Sequence, residues 1–108
     1  MGVAPDSPNR EEVSQTYKPV ADLFSAMASP IRAAILHQLS VDDRSVGDLV
    51  AVLGLPQPLV SQHLRTLRYA GLVAVERVGR SSMYRLADDH VAHIFLDAFQ
   101  HSREESDQ

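Results

Sequence analysis

The sequence has 108 residues, with 10 basic and 14 acidic side chains, a net charge of −4, no cysteine and 44% apolar residues. That length is enough for one modest hydrophobic core, and the lack of cysteine excludes disulfides, a thiol nucleophile and thiolate metal sites. No apolar run approaches the roughly 18 residues that span a bilayer, and the N-terminus has no signal-peptide pattern. We therefore expect a soluble, cytoplasmic protein with no membrane partner.

The N-terminal third predicts an arm followed by two helices. Residues 1–15 contain two prolines and no apolar periodicity, which indicates a flexible arm. Apolar residues recur at helical spacing over residues 20–28 and predict a first helix. Ser29 is a typical N-cap with Pro30 in the first helical position, and the second helix should continue to about Leu39.

The middle of the chain predicts a helix-turn-helix. After a polar connection at residues 41–44, Ser45 and Asp48 have the spacing of a capping box, and Gly54 is a typical helix stop. The longer helix that follows ends near Gly71. Its inward face is apolar: Val60, Leu64 and Leu67. Two helices joined by a short turn that contains glycine form a helix-turn-helix.

The C-terminal third predicts a hairpin and a last helix. Residues 72–77 and 82–86 read as two strands with Gly79 at the tip between them, and the last helix should run from about Asp88 to about Ser102. The predicted fold class is therefore mainly α with a small β-hairpin, a winged helix-turn-helix. The predicted divisions are a flexible arm at 1–15, the winged helix-turn-helix domain at 16–104 and a tail at 105–108.

The charge is segregated along the chain. Residues 88–108 carry a net charge of −5, whereas residues 56–87 carry five arginines against Glu76 alone, a net charge of +4. A local basic patch, rather than the total charge, is what attracts a phosphate backbone.

The second helix of the helix-turn-helix and the hairpin together predict a surface for double-stranded DNA. The first turns of such a helix meet base edges in the major groove, where Gln pairs with adenine and Arg with guanine or phosphate. The candidate DNA contacts are Gln57, Ser61, Gln62, His63, Arg65 and Arg68 on the helix, and Arg77 and Arg80 at the hairpin. The alternative is a winged helix that binds only protein.

Several separate motifs, in their order along the chain, resemble those of the ArsR/SmtB family over roughly residues 20–104. They are residues 28–32 with 35–36, residues 60–67, 71–73, 77–80 and 84–86. The resemblance implies a winged-helix, metal-sensing repressor that acts as a homodimer. Many members have Ser-His-Gln-Leu where this chain reads Ser61-Gln62-His63-Leu64, so either Gln62 or His63 is a candidate for the base contact.

The last helix carries four potential metal ligands, which match a zinc-sensing site of this family in type and spacing: Asp88, His90, His101 and Glu104. The two histidines share a stripe, because eleven residues rotate a helix by only about 20°, but they lie about 16 Å apart along its axis. Since zinc bonds are about 2 Å long, one helix cannot close the site. Two antiparallel copies can, twice per dimer, and two nitrogens with two oxygens suit Zn(II).

Neighbouring residues leave the metal and its coordination number open. His93 is either structural or a fifth ligand, and Asp97 is a candidate to orient a ligand, so Co(II) and Ni(II) remain alternatives to Zn(II). We expect pairing of the two last helices through an apolar set: Val91, Ile94, Phe95, Ala98 and Phe99. Residues 44–48 replace the cysteine motif of other members, so sensing of cadmium, lead or arsenic is not expected. His37 is given no role in a site.

These features predict a homodimeric repressor that binds its operator when free of metal and releases it on binding zinc. The resemblance also implies that metal binding is relayed to the DNA-binding surface from the second histidine, here His101, to the backbone near Gly71. An enzyme with a small organic substrate is not expected, because neither H-E-x-x-H nor G-x-S-x-G occurs and four protein ligands leave no open position on the metal. The alternative is a repressor of the same family that responds to Ni(II) or Co(II), or to no metal.

Overall fold

The computed structural model describes residues 7–106, without the side chains of residues 105 and 106. Its elements in chain order are α1 (Arg10–Met27), α2 (Pro30–Val41), β1 (Arg44–Ser45), α3 (Val46–Leu53), α4 (Gln57–Tyr69), β2 (Val73–Val78), β3 (Ser81–Leu86) and α5 (Asp89–Ser106). The predicted class, mainly helical with a hairpin after a helix-turn-helix, is confirmed.

Capping residues begin and end the helices where the sequence placed them. The Ser29 hydroxyl accepts a hydrogen bond from the Arg32 amide at 3.3 Å, and Pro30 opens α2. At α3 the Ser45 hydroxyl accepts from the Asp48 amide at 3.1 Å, while the Asp48 carboxylate accepts from the Ser45 amide at 3.0 Å. This bond from the Ser45 backbone, more than any other contact, holds the pKa of Asp48 below its ordinary value. Gly54 ends α3 with a φ of 66°, as expected of a left-handed cap.

Helix α1 begins much earlier than the sequence analysis placed it. The prediction of a flexible arm is wrong for residues 10–15, which are helical. Residues 1–6 lie outside the described residues. The Asn9 side chain caps this helix by accepting from the Glu12 amide at 2.8 Å. In the described residues, no single helix is long and apolar enough to cross a membrane. Helices α1 and α2 meet this criterion of length and composition only when they are taken together, and the chain bends by 92° between them.

The hairpin belongs to a three-stranded antiparallel sheet in the order β1-β3-β2. Strands β2 and β3 pair from Val73 opposite Leu86 to Val78 opposite Ser81. The two-residue turn between them starts at Gly79, whose φ of 61° favours glycine. Strand β1 was missed, because two residues are too short to show an alternating pattern. It exists through its pairing with β3, where Arg44 lies opposite Tyr84.

The core lies between α2, the helix-turn-helix, the sheet and α5. It consists of Ala26, Ile35, Leu36, Leu39, Leu49, Val60, Leu64, Leu67, Leu72, Val73, Val91 and Phe95. The predicted pairing surface on α5 is therefore wrong in part. Val91 and Phe95 are only 8% and 7% exposed within their own subunit, and the Phe99 ring packs against His37 of α2 in a tilted arrangement with ring centroids 4.4 Å apart. They are unavailable because a chain this short needs this face of α5 to close its core.

Candidate DNA-binding surface and metal site

The core fixes which face of α4 points outward. Val60, Leu64 and Leu67 are buried on one side of the helix. The predicted contacts on the opposite side and its flanks are exposed: Gln57, Gln62, Arg65 and Arg68. Ser61 is half-buried at the edge of this face. A helix anchored by one apolar face and polar on the other matches the second helix of a helix-turn-helix that enters the major groove.

The two candidates for the base contact have different surroundings. Gln62 is exposed, whereas His63 is half-buried, with its Nδ1 3.2 Å from Nη1 of Arg32 on α2. One ring nitrogen of His63 therefore contacts another side chain of the same protein. Of the two, Gln62 is the side chain that the fold leaves open to a base edge.

The hairpin contributes arginines at its tip. Arg77 and Arg80 are exposed, and Nε of Arg77 donates to the Gly79 carbonyl at 3.4 Å, which holds this guanidinium beside the turn. Arg85 instead forms a cross-strand ion pair with Glu76 at 3.0 Å, so these two charges offset each other. The positive charge of this region is therefore carried by the α4 arginines and the arginines of the hairpin tip.

A further residue of this surface was missed by the sequence analysis. Tyr69, the last residue of α4, is 86% exposed and lines a shallow groove with Arg65 and Arg68. A phenol at this place can donate a hydrogen bond to a phosphate oxygen. The signal was present, since Tyr69 lies four residues after Arg65 and so falls on the same helical face.

Two of the predicted metal ligands lie at the start of α5. One carboxylate oxygen of Asp88, Oδ1, accepts from the Val91 amide at 3.0 Å, so Asp88 also caps the helix. Asp88 and His90 line an apolar groove between α1 and α5. The other residues of this groove are Val20, Leu23, Phe24, Met27, Gly71, Leu72, Val91 and Ile94. His90 thus shares a groove with Gly71, which lies just after the C-terminal end of α4.

The other two predicted ligands lie farther along α5. His101 and Glu104 are exposed, and Glu104 accepts from the Gln100 amide group at 3.4 Å. In the part of the chain that the structure describes, no three potential ligands are gathered where they could hold a metal ion. The donor set, imidazole and carboxylate at exposed positions, suits a divalent metal. A four-ligand site from these residues requires a second copy of the chain.

Comparison with known proteins identifies the family. Residues 29–75 match the family described as "Bacterial regulatory protein, arsR family". The transcriptional regulator NmtR of Mycobacterium tuberculosis is 41% identical over 105 residues, which cover 94% of this chain and 88% of NmtR. The chain belongs to the ArsR/SmtB family. The repressor SmtB of the same species is 53% identical over 85 residues, 79% of this chain, and the match spans only 63% of that relative's length.

Solved structures of other proteins share the fold. The homodimeric winged helix-turn-helix DNA-binding domain of a possible ArsR-family regulator from Mycobacterium bovis has a TM-score of 0.81 and 26% identity, covering 94% of this chain and 93% of that one. NolR from Sinorhizobium fredii has a TM-score of 0.77 and 35% identity, covering 88% of this chain and 94% of that one. The family consists of transcriptional regulators rather than enzymes.

Proposed function

We propose that this chain is a homodimeric repressor that binds operator DNA through α4 and the hairpin. The observation that carries this proposal is the placement of four exposed arginines on the two elements that dock in a winged helix-turn-helix. They are Arg65, Arg68, Arg77 and Arg80. The surface is locally basic although the whole chain has a net charge of −4, and a phosphate backbone responds to the local field.

The individual contacts follow from side-chain chemistry and position. Gln57 and Gln62, exposed near the start and middle of α4, suit adenine edges in the major groove, and Arg65 suits guanine or phosphate. Arg68 and Tyr69 at the end of the helix suit the DNA backbone. In a symmetric dimer, two such helices read half-sites about 34 Å apart.

Dimerisation is proposed to occur through α1 and the neighbouring part of α5. Val13, Tyr17, Val20 and Phe24 form one stripe along α1 and are between 42% and 61% exposed. Ile94 of α5 continues this apolar surface, at 46% exposed, and lines the same groove as Val20 and Phe24. A contiguous apolar patch of this kind marks an interface. The homodimeric state of the M. bovis domain supports a second copy of this chain as the occupant.

The regulatory ligand is proposed to be Zn(II), held between two subunits. Asp88 and His90 of one subunit would bind it together with the partner subunit's His101 and the partner subunit's Glu104. The site would lie beside Gly71 and Leu72. The Ala87 amide donates to the Leu72 carbonyl at 3.0 Å, which extends the pairing of β2 with β3 and links the segment that follows α4 to the segment that precedes α5. Bound metal would favour a dimer geometry that fits the operator less well. By linkage, DNA must weaken metal binding by the same factor.

A second candidate keeps the fold and the DNA surface but changes the metal. His93 and Asp97 are both exposed on α5, close in sequence to the proposed ligands. Additional nitrogen and oxygen donors suit the higher coordination numbers of Ni(II) and Co(II). Under this reading His93 is a ligand, and its replacement by alanine would weaken the response to Ni(II) or Co(II).

One set of binding measurements tests the proposal. An operator is first selected from a pool of random duplexes with the metal-free protein, and its affinity is then measured at fixed salt without metal and with Zn(II), Co(II) or Ni(II). We expect release by Zn(II), loss of that release in His101→Ala, and release retained in His93→Ala. If no metal changes the affinity, the sensing half of the proposal is wrong and the DNA-binding half stands. If no sequence is selected, the DNA-binding half is wrong.

A further inference from the structure

Arg32 connects three helices from a half-buried position at the start of α2. Its backbone amide donates to the Ser29 hydroxyl at 3.3 Å, and its Nε donates to the Ala26 carbonyl at the end of α1 at 2.6 Å. Its Nη1 lies 3.2 Å from Nδ1 of His63 on α4. The side chain therefore satisfies a carbonyl that α1 leaves open at its C-terminus and reaches across to α4.

The chemistry of the pair decides which ring nitrogen of His63 accepts the hydrogen bond. A guanidinium has five N–H donors and no acceptor. The hydrogen bond therefore forms only when Nδ1 of His63 carries no proton, which places the ring proton on Nε2. Arg32 thus selects one neutral tautomer of His63 and leaves the other ring nitrogen as a donor.

The position of His63 gives this bond a consequence for DNA reading. The buried residues of α4 decide which side of the helix faces outward. A directional hydrogen bond at the edge of that buried face adds a further restriction on rotation of the helix about its axis. Because His63 directly follows Gln62, the same bond limits where the exposed Gln62 side chain points.

We propose that Arg32 is a positioning residue for DNA recognition, which sets the rotation of α4 through His63 and holds His63 as the Nε2–H tautomer. This inference rests on the proposed DNA-binding function. Arg32 itself is not a phosphate contact, so it acts on sequence discrimination rather than on the electrostatic part of the affinity.

The test compares specific with non-specific DNA binding. The probes are the operator selected with the wild-type protein and a scrambled duplex of the same length. In Arg32→Leu the ratio of the two affinities should fall about tenfold, while the slope of log affinity against log salt should not change. His63→Asn, which keeps an acceptor near the place of Nδ1, should retain most of the ratio, whereas His63→Leu should lose it. The double variant with both leucines should lose no more than either single one.

A matched control is Arg44→Leu. Arg44 is also half-buried, and its Nε also donates to a backbone carbonyl, that of Gln38 near the other end of α2 at 3.3 Å. Thermal unfolding of every variant shows which fraction is folded, and Arg44→Leu should leave the affinity ratio unchanged. An unchanged ratio in folded Arg32→Leu would overturn the proposal. So would a salt slope reduced by about one, because Arg32 would then be a phosphate contact.

A second measurement needs no DNA. Nitrogen-15 NMR of the imidazole rings at about pH 8 distinguishes the two neutral tautomers. We expect His63 as the Nε2–H tautomer in the wild type and a mixture of tautomers in Arg32→Leu. A wild-type ring protonated on Nδ1 would refute the inference directly, whereas failure to select an operator would count only against the proposed function.

Discussion

Shortening one valine on α1 tests the proposed dimer surface quantitatively. Val20→Ala removes two carbon groups, each worth about 0.8 kcal/mol when fully buried. Val20 is 44% exposed in the single subunit, so association can bury at most that fraction, about 0.7 kcal/mol. A symmetric dimer contains the residue twice. The loss is then about 1.4 kcal/mol, a tenfold weaker dimer.

Sedimentation equilibrium of the metal-free protein over a range of concentrations measures this constant. The matched control is Val52→Ala on α3, which is 50% exposed and lies off the stripe. The same two groups are removed there, and we expect no change in the dimer constant. Equal dimer constants for the two variants would refute the assignment of this surface, because only a residue at the interface is covered on association.

Three further predictions concern DNA contacts and stability. Gln62→Ala should cost about 1 to 3 kcal/mol against the preferred base and relax the sequence preference at that position, seen in competition with single-base operator variants; unaltered discrimination would exclude the base contact. Tyr69→Phe should weaken specific and non-specific duplexes by the same factor in fluorescence anisotropy, since it removes one donor to the backbone. The lowered pKa of Asp48 contributes stability that is present above about pH 4 and lost below it. Thermal midpoints of the wild type should therefore fall more steeply in acid than those of Asp48→Asn; parallel curves would contradict this.

Local chemistry made much of the fold predictable from the sequence. Ser29 before Pro30, and Ser45 three residues before Asp48, fix helix starts through bonds to nearby amides, so the sequence contains all the information required. Strand β1 was not predictable in this way. Its two residues become a strand only because β3 lies beside them.

The errors on α1 and α5 have a common physical origin. Periodicity identifies an apolar face but not what covers it. On α5 the apolar residues were assigned to a second subunit, yet Phe95 and Phe99 pack against α2 of their own chain. On α1, Val13 and Tyr17 continue the stripe of Val20, but they face outward. Val13 was assigned to the flexible arm, and Tyr17 was left outside the first predicted helix.

The difference in exposure between Gln62 and His63 could have been predicted from the sequence. At about 100° per residue, His63 lies only about 40° around the helix from the buried Leu67, whereas Gln62 lies about 140° away. The contact of His63 with Arg32 could not be predicted from local sequence patterns, because it joins residues 31 positions apart. The proposed metal site would need a second chain, because its four ligands lie at opposite ends of α5.

Because one face of α5 forms part of the core, the helix that carries the proposed metal ligands is not a detachable arm. Val91 and Phe95 join it to the same packed interior that holds Leu64 and Leu67 of α4. Close-packed interiors transmit displacement instead of absorbing it. A displacement of α5 would therefore rotate each subunit as a rigid body. A change in the angle between two subunits would then alter the distance between their α4 helices without the unfolding of any helix.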